Sequence, residues 1–236
     1  MVWKFNRKTL TVFALLCFLT VSGMSASGTA TYEIPETSEK LKPGMKYMIM
    51  VDCETHTLYL FHEGKAIKKY TVACGKKDTP SPIGLWKIVN KARWGEGFGG
   101  YWLGLNVPWG MYGLHGTLKP TSIGRNSSHG CIRMQNRDIA ELYRLVSYGT
   151  EVLIVNGEFG VFGKGFRNIE PGDRGADVFA VQRQLNRLGY DCGKPDGIYG
   201  ERMKKAVFEF QKDHGLLVSN IITRSMLEKM GFREFE

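Results

Sequence analysis

The hydrophobic rhythm of the chain changes once, near residue 157. Before that point apolar residues come in short runs. Tyr47 to Asp52 and Thr57 to His62 each read as a strand, with a turn over Asp52 to His56 between them. Glu63-Gly64-Lys65 closes a hairpin, and Ala66 to Ala73 predicts the returning strand. Gly75 to Pro82 reads as a loop, and Gly84 to Val89 as a further strand. Ile139, Leu142, Tyr143 and Val146 recur at i, i+3, i+4 and i+7, the spacing of one helical face. Gly149 ends that segment, and Glu151 to Asn156 reads as a last buried strand. His56 and His62 lie in or beside strands and read as structural or surface residues.

Past the Gly- and Phe-rich residues 157–167, a linker by composition, the period lengthens. Val178, Val181, Leu185 and Leu188 mark one amphipathic helix, stopped before Gly189. Met203, Ala206, Val207 and Phe210 mark a second, stopped by Gly215, and Ile222, Met226, Leu227 and Met230 a third before Gly231. Three short helices with glycine stops predict a small bundle. The expected class is therefore a mostly β domain with one short helix, followed by a small all-α three-helix bundle. In the β part, Trp94 to Trp109 holds five Gly and three Trp. That stretch reads either as a barrel corner packed with aromatics or as an exposed aromatic lip over a groove.

The amino terminus changes the picture of where the chain works. Lys4, Arg7 and Lys8 precede an uncharged apolar run from Leu10 to Val21, and small residues follow as far as Ala30. That is the layout of a secretory signal over residues 1–30, too short for a comfortable membrane span. An uncleaved anchor is the alternative. Polar residues 31–44 read as a flexible lead-in. The formal charge is +9, and losing residues 1–30 with their three basic side chains leaves +6. A positive exported chain with no nucleic-acid recognition motif suits a polyanionic cell wall better than nucleic acid. At 236 residues, 43% of them hydrophobic, the chain is long enough for two modest cores. Cys53, Cys74, Cys131 and Cys192 remain past the leader. They are too few for a dense disulfide framework but leave a Cys53–Cys74 bridge open.

Candidate chemistry gathers between Tyr112 and Asp138. Within Gly-Leu-His115-Gly-Thr and Ser128-His129-Gly130-Cys131-Ile-Arg133-Met, two histidines accompany one cysteine. A thiol attacks as its thiolate, so it needs a base or a cation beside it. His115 lies sixteen positions before Cys131, across turn-forming residues that allow the chain to loop back. His129, two residues away, is a second candidate. Gly130 would let backbone N–H groups approach a developing oxyanion. The plain alternative is a small buried thiol without chemistry.

As a string, this window resembles the signature of the L,D-transpeptidases with a YkuD-type catalytic domain, over roughly Met45 to Asn156. Thr79-Pro-Ser-Pro-Ile-Gly-Leu-Trp86 resembles a further element of that family. The resemblance implies a β-sandwich or incomplete barrel with the cysteine at a sheet edge. It implies Cys131 as acyl-enzyme nucleophile, His115 as its base, His129 as a supporting histidine and Arg133 as a polar residue close to substrate. Gly116 would orient His115 through its carbonyl, Gly130 would serve the oxyanion, and Ser128 and Tyr112 would touch substrate. Gly172-Asp-x-Gly175, Gln182, Leu188-Gly189-Tyr190, Asp196-Gly197-Ile-Tyr-Gly200 and Phe210-Gln211 resemble the three-helix peptidoglycan-binding domain over residues 168–232. Met203 departs from that pattern where Thr is usual, and Ser219-Asn220 replaces an Asp-Gly turn.

Together these resemblances imply an exported enzyme at the cell wall or the outer face of the membrane, acting on peptidoglycan stem peptides and glycan. They imply no metal or organic cofactor and no obligate protein partner. The expected reaction transfers the stem acyl group from Cys131 to an amine, and residues 168–232 concentrate substrate as a separable module. An L,D-carboxypeptidase using the same Cys and His is one alternative. A zinc metallopeptidase with His115, His129 and Cys131 as ligands and a non-catalytic wall-binding protein are the others.

Overall fold

The computed structural model describes residues 45–157, 160–162 and 165–233. The leader and the lead-in read from the sequence lie outside them. β1 (Tyr47–Asp52), β2 (Thr57–His62) and β3 (Lys65–Thr71) form the predicted antiparallel meander. Then follow β4 (Cys74–Gly75), β5 (Gly84–Ala92), β6 (Trp102–Leu105), β7 (Gly113–His115), β8 (Asn126–Ser128) and β9 (Ile132–Arg133). Helix α1 (Asn136–Leu145) leads into β10 (Glu151–Val155).

Eight strands make one sheet in the order β3-β2-β1-β10-β5-β6-β7-β9. The β1–β10 and β7–β9 pairs are parallel. The sheet curls until its two edges meet. Ala73, just past β3, exchanges hydrogen bonds of 2.8 and 2.9 Å with Arg133 of β9. Beside this seam β4 pairs with β8. The fold is thus mostly β, in the incomplete-barrel form, and its closing seam lies two residues from Cys131.

Alternation explains the curl. Ile49, Val51, Leu58, Leu60, Ile88, Val152 and Ile154 all point to one face and are fully buried. Each such side chain contributes roughly 1.5–3 kcal/mol against exposure. Ile139, Leu142 and Leu145 of α1 join this core. The helix is therefore placed as predicted, but its inner stripe differs. Tyr143 is half-buried, 4.9 Å from Tyr101, with the Lys91 ammonium 4.4 Å from its ring centre. Val146 is buried as an extended residue after the last turn. A tyrosine keeps its polar edge toward water, and Leu145 fills the core instead.

In the second part, α2 (Ala176–Arg187), α3 (Glu201–Asp213) and α4 (Arg224–Lys229) enclose Val178, Val181, Leu185, Met203, Val207, Phe210, Met226 and Leu227. Leu188, predicted on the inner face of the first helix, caps it and is 45% exposed. Ile222 precedes α4 and pairs with Ile169. Gln211, almost fully buried, accepts from the Ser219 N–H at 2.7 Å and donates to the Ile221 carbonyl at 2.9 Å. That support carries the unusual Ser219-Asn220 turn. Met203 packs fully inside the bundle. Phe162 and Phe166, from the stretch read as a linker, also pack onto this core, with Phe162 4.9 Å from Phe232.

Cys53, Cys74, Cys131 and Cys192 are all free thiols, so the Cys53–Cys74 bridge left open by the sequence does not form. The two thiols are neighbours in the core. Hydrogen bonding with Cys53, together with burial, pushes the Cys74 thiol far above its ordinary range.

Candidate active site

The β7–β9 pair brings the two parts of the sequence window together. Leu114 lies opposite Ile132, and both point into the core. Neighbouring residues point the other way, so Gly113 and His115 share a face with Cys131 and Arg133. The Gly113 N–H lies within electrostatic reach of the Cys131 sulfur and favours its thiolate.

His115 is buried, and its Nδ1 lies 2.6 Å from the Gly116 carbonyl oxygen. A carbonyl only accepts, so Nδ1 carries the proton and Nε2 keeps its lone pair. Phe98 packs edge-on to the imidazole at 5.0 Å and Trp102 lies 5.8 Å from it. Trp102 in turn stacks on Trp94 at 4.5 Å. The aromatic stretch therefore combines both readings of it. Trp102 and Trp109 are buried packing, while Phe98 keeps 40% of its surface exposed.

Burial favours the neutral form of both Cys131 and His115. Burial pushes the Cys131 thiol above its ordinary value, against the opposing pull of the Gly113 N–H and the Arg133 charge. Burial also holds His115 below its ordinary value; the Gly116 carbonyl opposes this, and the Arg133 charge adds to it. A resting thiolate–imidazolium pair, the form expected of a nucleophilic cysteine with a histidine base, is not what this environment favours. A neutral thiol and a neutral imidazole protonated at Nδ1 are the forms it favours.

Several sequence-derived roles change in three dimensions. Ser128 is fully buried. Its hydroxyl donates to the Cys131 carbonyl at 2.6 Å and accepts from the Gly130 N–H at 3.0 Å. It therefore pins the turn that presents Cys131 and is shut away from substrate. The same bond commits the Gly130 N–H, which is then not available to an oxyanion. Gly130 is needed for another reason: its φ is +110°, and a Cβ there would stand 2.5 Å from the Tyr112 ring. His129 is exposed, and among the described residues no group of three or more His, Cys, Asp or Glu could hold a metal. The His115–His129–Cys131 ligand set of the zinc reading is thus not assembled. Arg133 is half-buried, with Nη1 3.5 Å from the Ser127 carbonyl. Tyr112 lies against the turn, and burial raises its phenol above the ordinary value.

Four contributors do not show in the sequence. Gly113 acts only through its backbone, which no motif reveals. Asn136, the first residue of α1, accepts from the Thr117 N–H at 2.8 Å and so fixes the loop that carries the Gly116 carbonyl. Phe98 and Trp102 were noted as aromatic, but their contact with His115 follows from strand pairing, with Trp102 directly opposite His115.

Residues 46–154 match the family model described as "L,D-transpeptidase catalytic domain", and residues 174–230 that described as "Putative peptidoglycan binding domain". "Putative L,D-transpeptidase YkuD" of Bacillus licheniformis is 45% identical over 109 residues, 46% of this chain. The chain spans 65% of that relative's length. "Putative L,D-transpeptidase YqjB" of Bacillus subtilis is 33% identical over 130 residues, covering 48% of this chain and 73% of the relative. The solved catalytic domain of the E. faecium L,D-transpeptidase aligns with 48% of this chain and 99% of its own, at 27% identity and a TM-score of 0.42.

Proposed function

We propose that this chain, which belongs to the L,D-transpeptidase family, transfers the acyl group of a peptidoglycan stem peptide to an amine through a thioester on Cys131. The observation that carries the proposal is the shared face of β7 and β9. That face carries His115, its Nδ1 tied to the Gly116 carbonyl, and Cys131, which supports the pairing of base and thiol.

The steps follow from those groups. As Cys131 attacks the carbonyl between the third, L-centred residue and the terminal D-residue, its proton passes to Nε2 of His115. The imidazolium forms only then, so burial does not have to stabilise a standing charge. The Cys131 N–H, which has no hydrogen-bond partner among the described residues, faces the developing oxyanion in place of Gly130. One such donor supplies about 3–4 kcal/mol of transition-state stabilisation. Collapse breaks the C–N bond, His115 returns its proton to the leaving amine, and the thioester remains. An acceptor amine then attacks the thioester and gives its proton to His115, which restores the thiol. Arg133 keeps His115 neutral and offers a cation to the anionic stem.

Residues 168–232 bind peptidoglycan in this reading, and residues 1–30 direct export to the wall or the outer membrane face. Purified protein incubated with a donor tetrapeptide stem and excess acceptor amine should yield cross-linked dimer. Accumulation of trimmed tripeptide alone would make the protein a carboxypeptidase, with water as acceptor.

A further inference from the structure

The helical part is not only tethered to the β part; it packs against the rim of the site. Val178, Val181, Gln182 and Leu185 face the bundle, but Ala176 and Phe179 of the same helix turn away and pack onto the β core, as does Ile198. The Phe179 ring lies 6.2 Å from Trp86 and 5.8 Å from Trp109. Gly197 lies under the Trp109 indole so closely that a Cβ there would stand 2.2 Å from its ring. Gly197 is itself fixed, donating to Gln182 at 2.8 Å and accepting from the Gly175 N–H at 3.0 Å.

Trp109 sits in the loop that joins β6 to β7. The loop is closed by the Leu105 N–H donating to the Tyr112 carbonyl at 2.9 Å. Trp109 packs against Trp86 at 5.2 Å and Tyr112 at 6.5 Å. Tyr112 covers Gly130, and the N–H of the next residue, Gly113, lies within electrostatic reach of the Cys131 sulfur. A continuous chain of packed rings and backbone thus runs from α2 to the nucleophile. Arg174, beside Gly197 in the same loop pair, is exposed and within electrostatic reach of the Tyr112 hydroxyl.

We propose that the helical part is a working wall of the catalytic groove: Phe179 and Gly197, clasping Trp109, are positioning residues that hold Tyr112 and Gly113 in register with Cys131. This rests on the acyl-transfer reading above and revises the expectation of a separable module that only concentrates substrate. The contact is made through rings, and Phe179 lies outside the bundle's own core, so removing its ring releases the wall without touching that core. Positioning matters in this chemistry because small misplacements of reacting groups are costly.

The test uses the full chain carrying Phe179→Ala, with Phe179→Leu as the conservative variant. Three readings are taken: acylation of Cys131 by a soluble tetrapeptide stem, alkylation of Cys131 by iodoacetamide, and hydrogen exchange over residues 106–113. Phe179→Ala should lower kcat/KM for the stem by about tenfold while alkylation changes by less than about twofold. Exchange over 106–113 should quicken, and Phe179→Leu should restore most of the loss. Unchanged stem kinetics and unchanged exchange in a folded Phe179→Ala protein would overturn the proposal. So would equal losses in acylation and alkylation, which mark a general defect. If the unaltered protein is never acylated by the stem, the acyl-transfer reading fails, and the exchange data still decide whether Phe179 holds the wall.

Discussion

Replacing Ser128 with alanine separates two views of the turn before Cys131. The hydroxyl is fully buried, donates to the Cys131 carbonyl at 2.6 Å and accepts from the Gly130 N–H at 3.0 Å. Alanine strands both groups away from water, and each orphaned partner costs about 1–3 kcal/mol. With some relaxation the sum is about 2–4 kcal/mol, a drop in melting temperature of roughly 5–15 °C for a chain of this size. The turn also carries Cys131, so its alkylation should become faster as the thiol gains access to water. Thermal melting and the iodoacetamide rate are both simple readings. If Ser128 instead contacted substrate, its loss would raise KM and leave melting within the scatter of a surface change, about 0.5 kcal/mol. An unshifted melting temperature with a raised KM would refute the turn-pinning account.

Three further outcomes follow from the same geometry. Gly130→Ala forces an L residue to φ +110° with a Cβ 2.5 Å from the Tyr112 ring. The backbone strain alone costs about 1–3 kcal/mol, so melting should fall and stem acylation with it; wild-type values in both would contradict the packing described. Because burial raises the Cys131 thiol, its alkylation should keep climbing with pH through the ordinary thiol range, whereas a plateau below pH 8 or so would mean a standing thiolate. His115→Ala should lower stem acylation by roughly 10²–10⁴-fold yet leave high-pH alkylation little changed, since a neutral imidazole acts on the proton in flight; equal losses in both would restore the ion-pair picture.

The strands and the helical bundle were legible because their signals are local. Glu63-Gly64 closes a hairpin through two residues at positive φ, and alternation alone assigns Ile49, Val51, Leu58 and Leu60 to one face. Motif and spacing single out Cys131 and His115, and the β7–β9 pairing brings their segments together. What failed to show was long-range or carried by the backbone. Nothing near Ser128 says that its hydroxyl faces inward, because that depends on the Gly130 conformation and on Tyr112, sixteen residues upstream of Ser128. The thiol's raised value depends on how deeply the seam buries it, which residue types do not encode. Phe179 lies off the inner stripe of α2, and its partners Trp86 and Trp109 lie far upstream in the chain. Tyr143 and Leu145 both fit a helical stripe within the tolerance of the pattern, and the core chose the aliphatic one.

The central claim is a thioester on one sulfur, and intact-mass spectrometry of the purified protein after incubation with a defined tetrapeptide stem tests it most directly. The expected adduct equals the stem minus its terminal D-residue, one per chain, mapped by peptide analysis to Cys131, discharged by an added amine and absent in Cys131→Ser. A stem that is trimmed or cross-linked with no adduct on Cys131, by activity that a chelator abolishes and zinc restores, would contradict it.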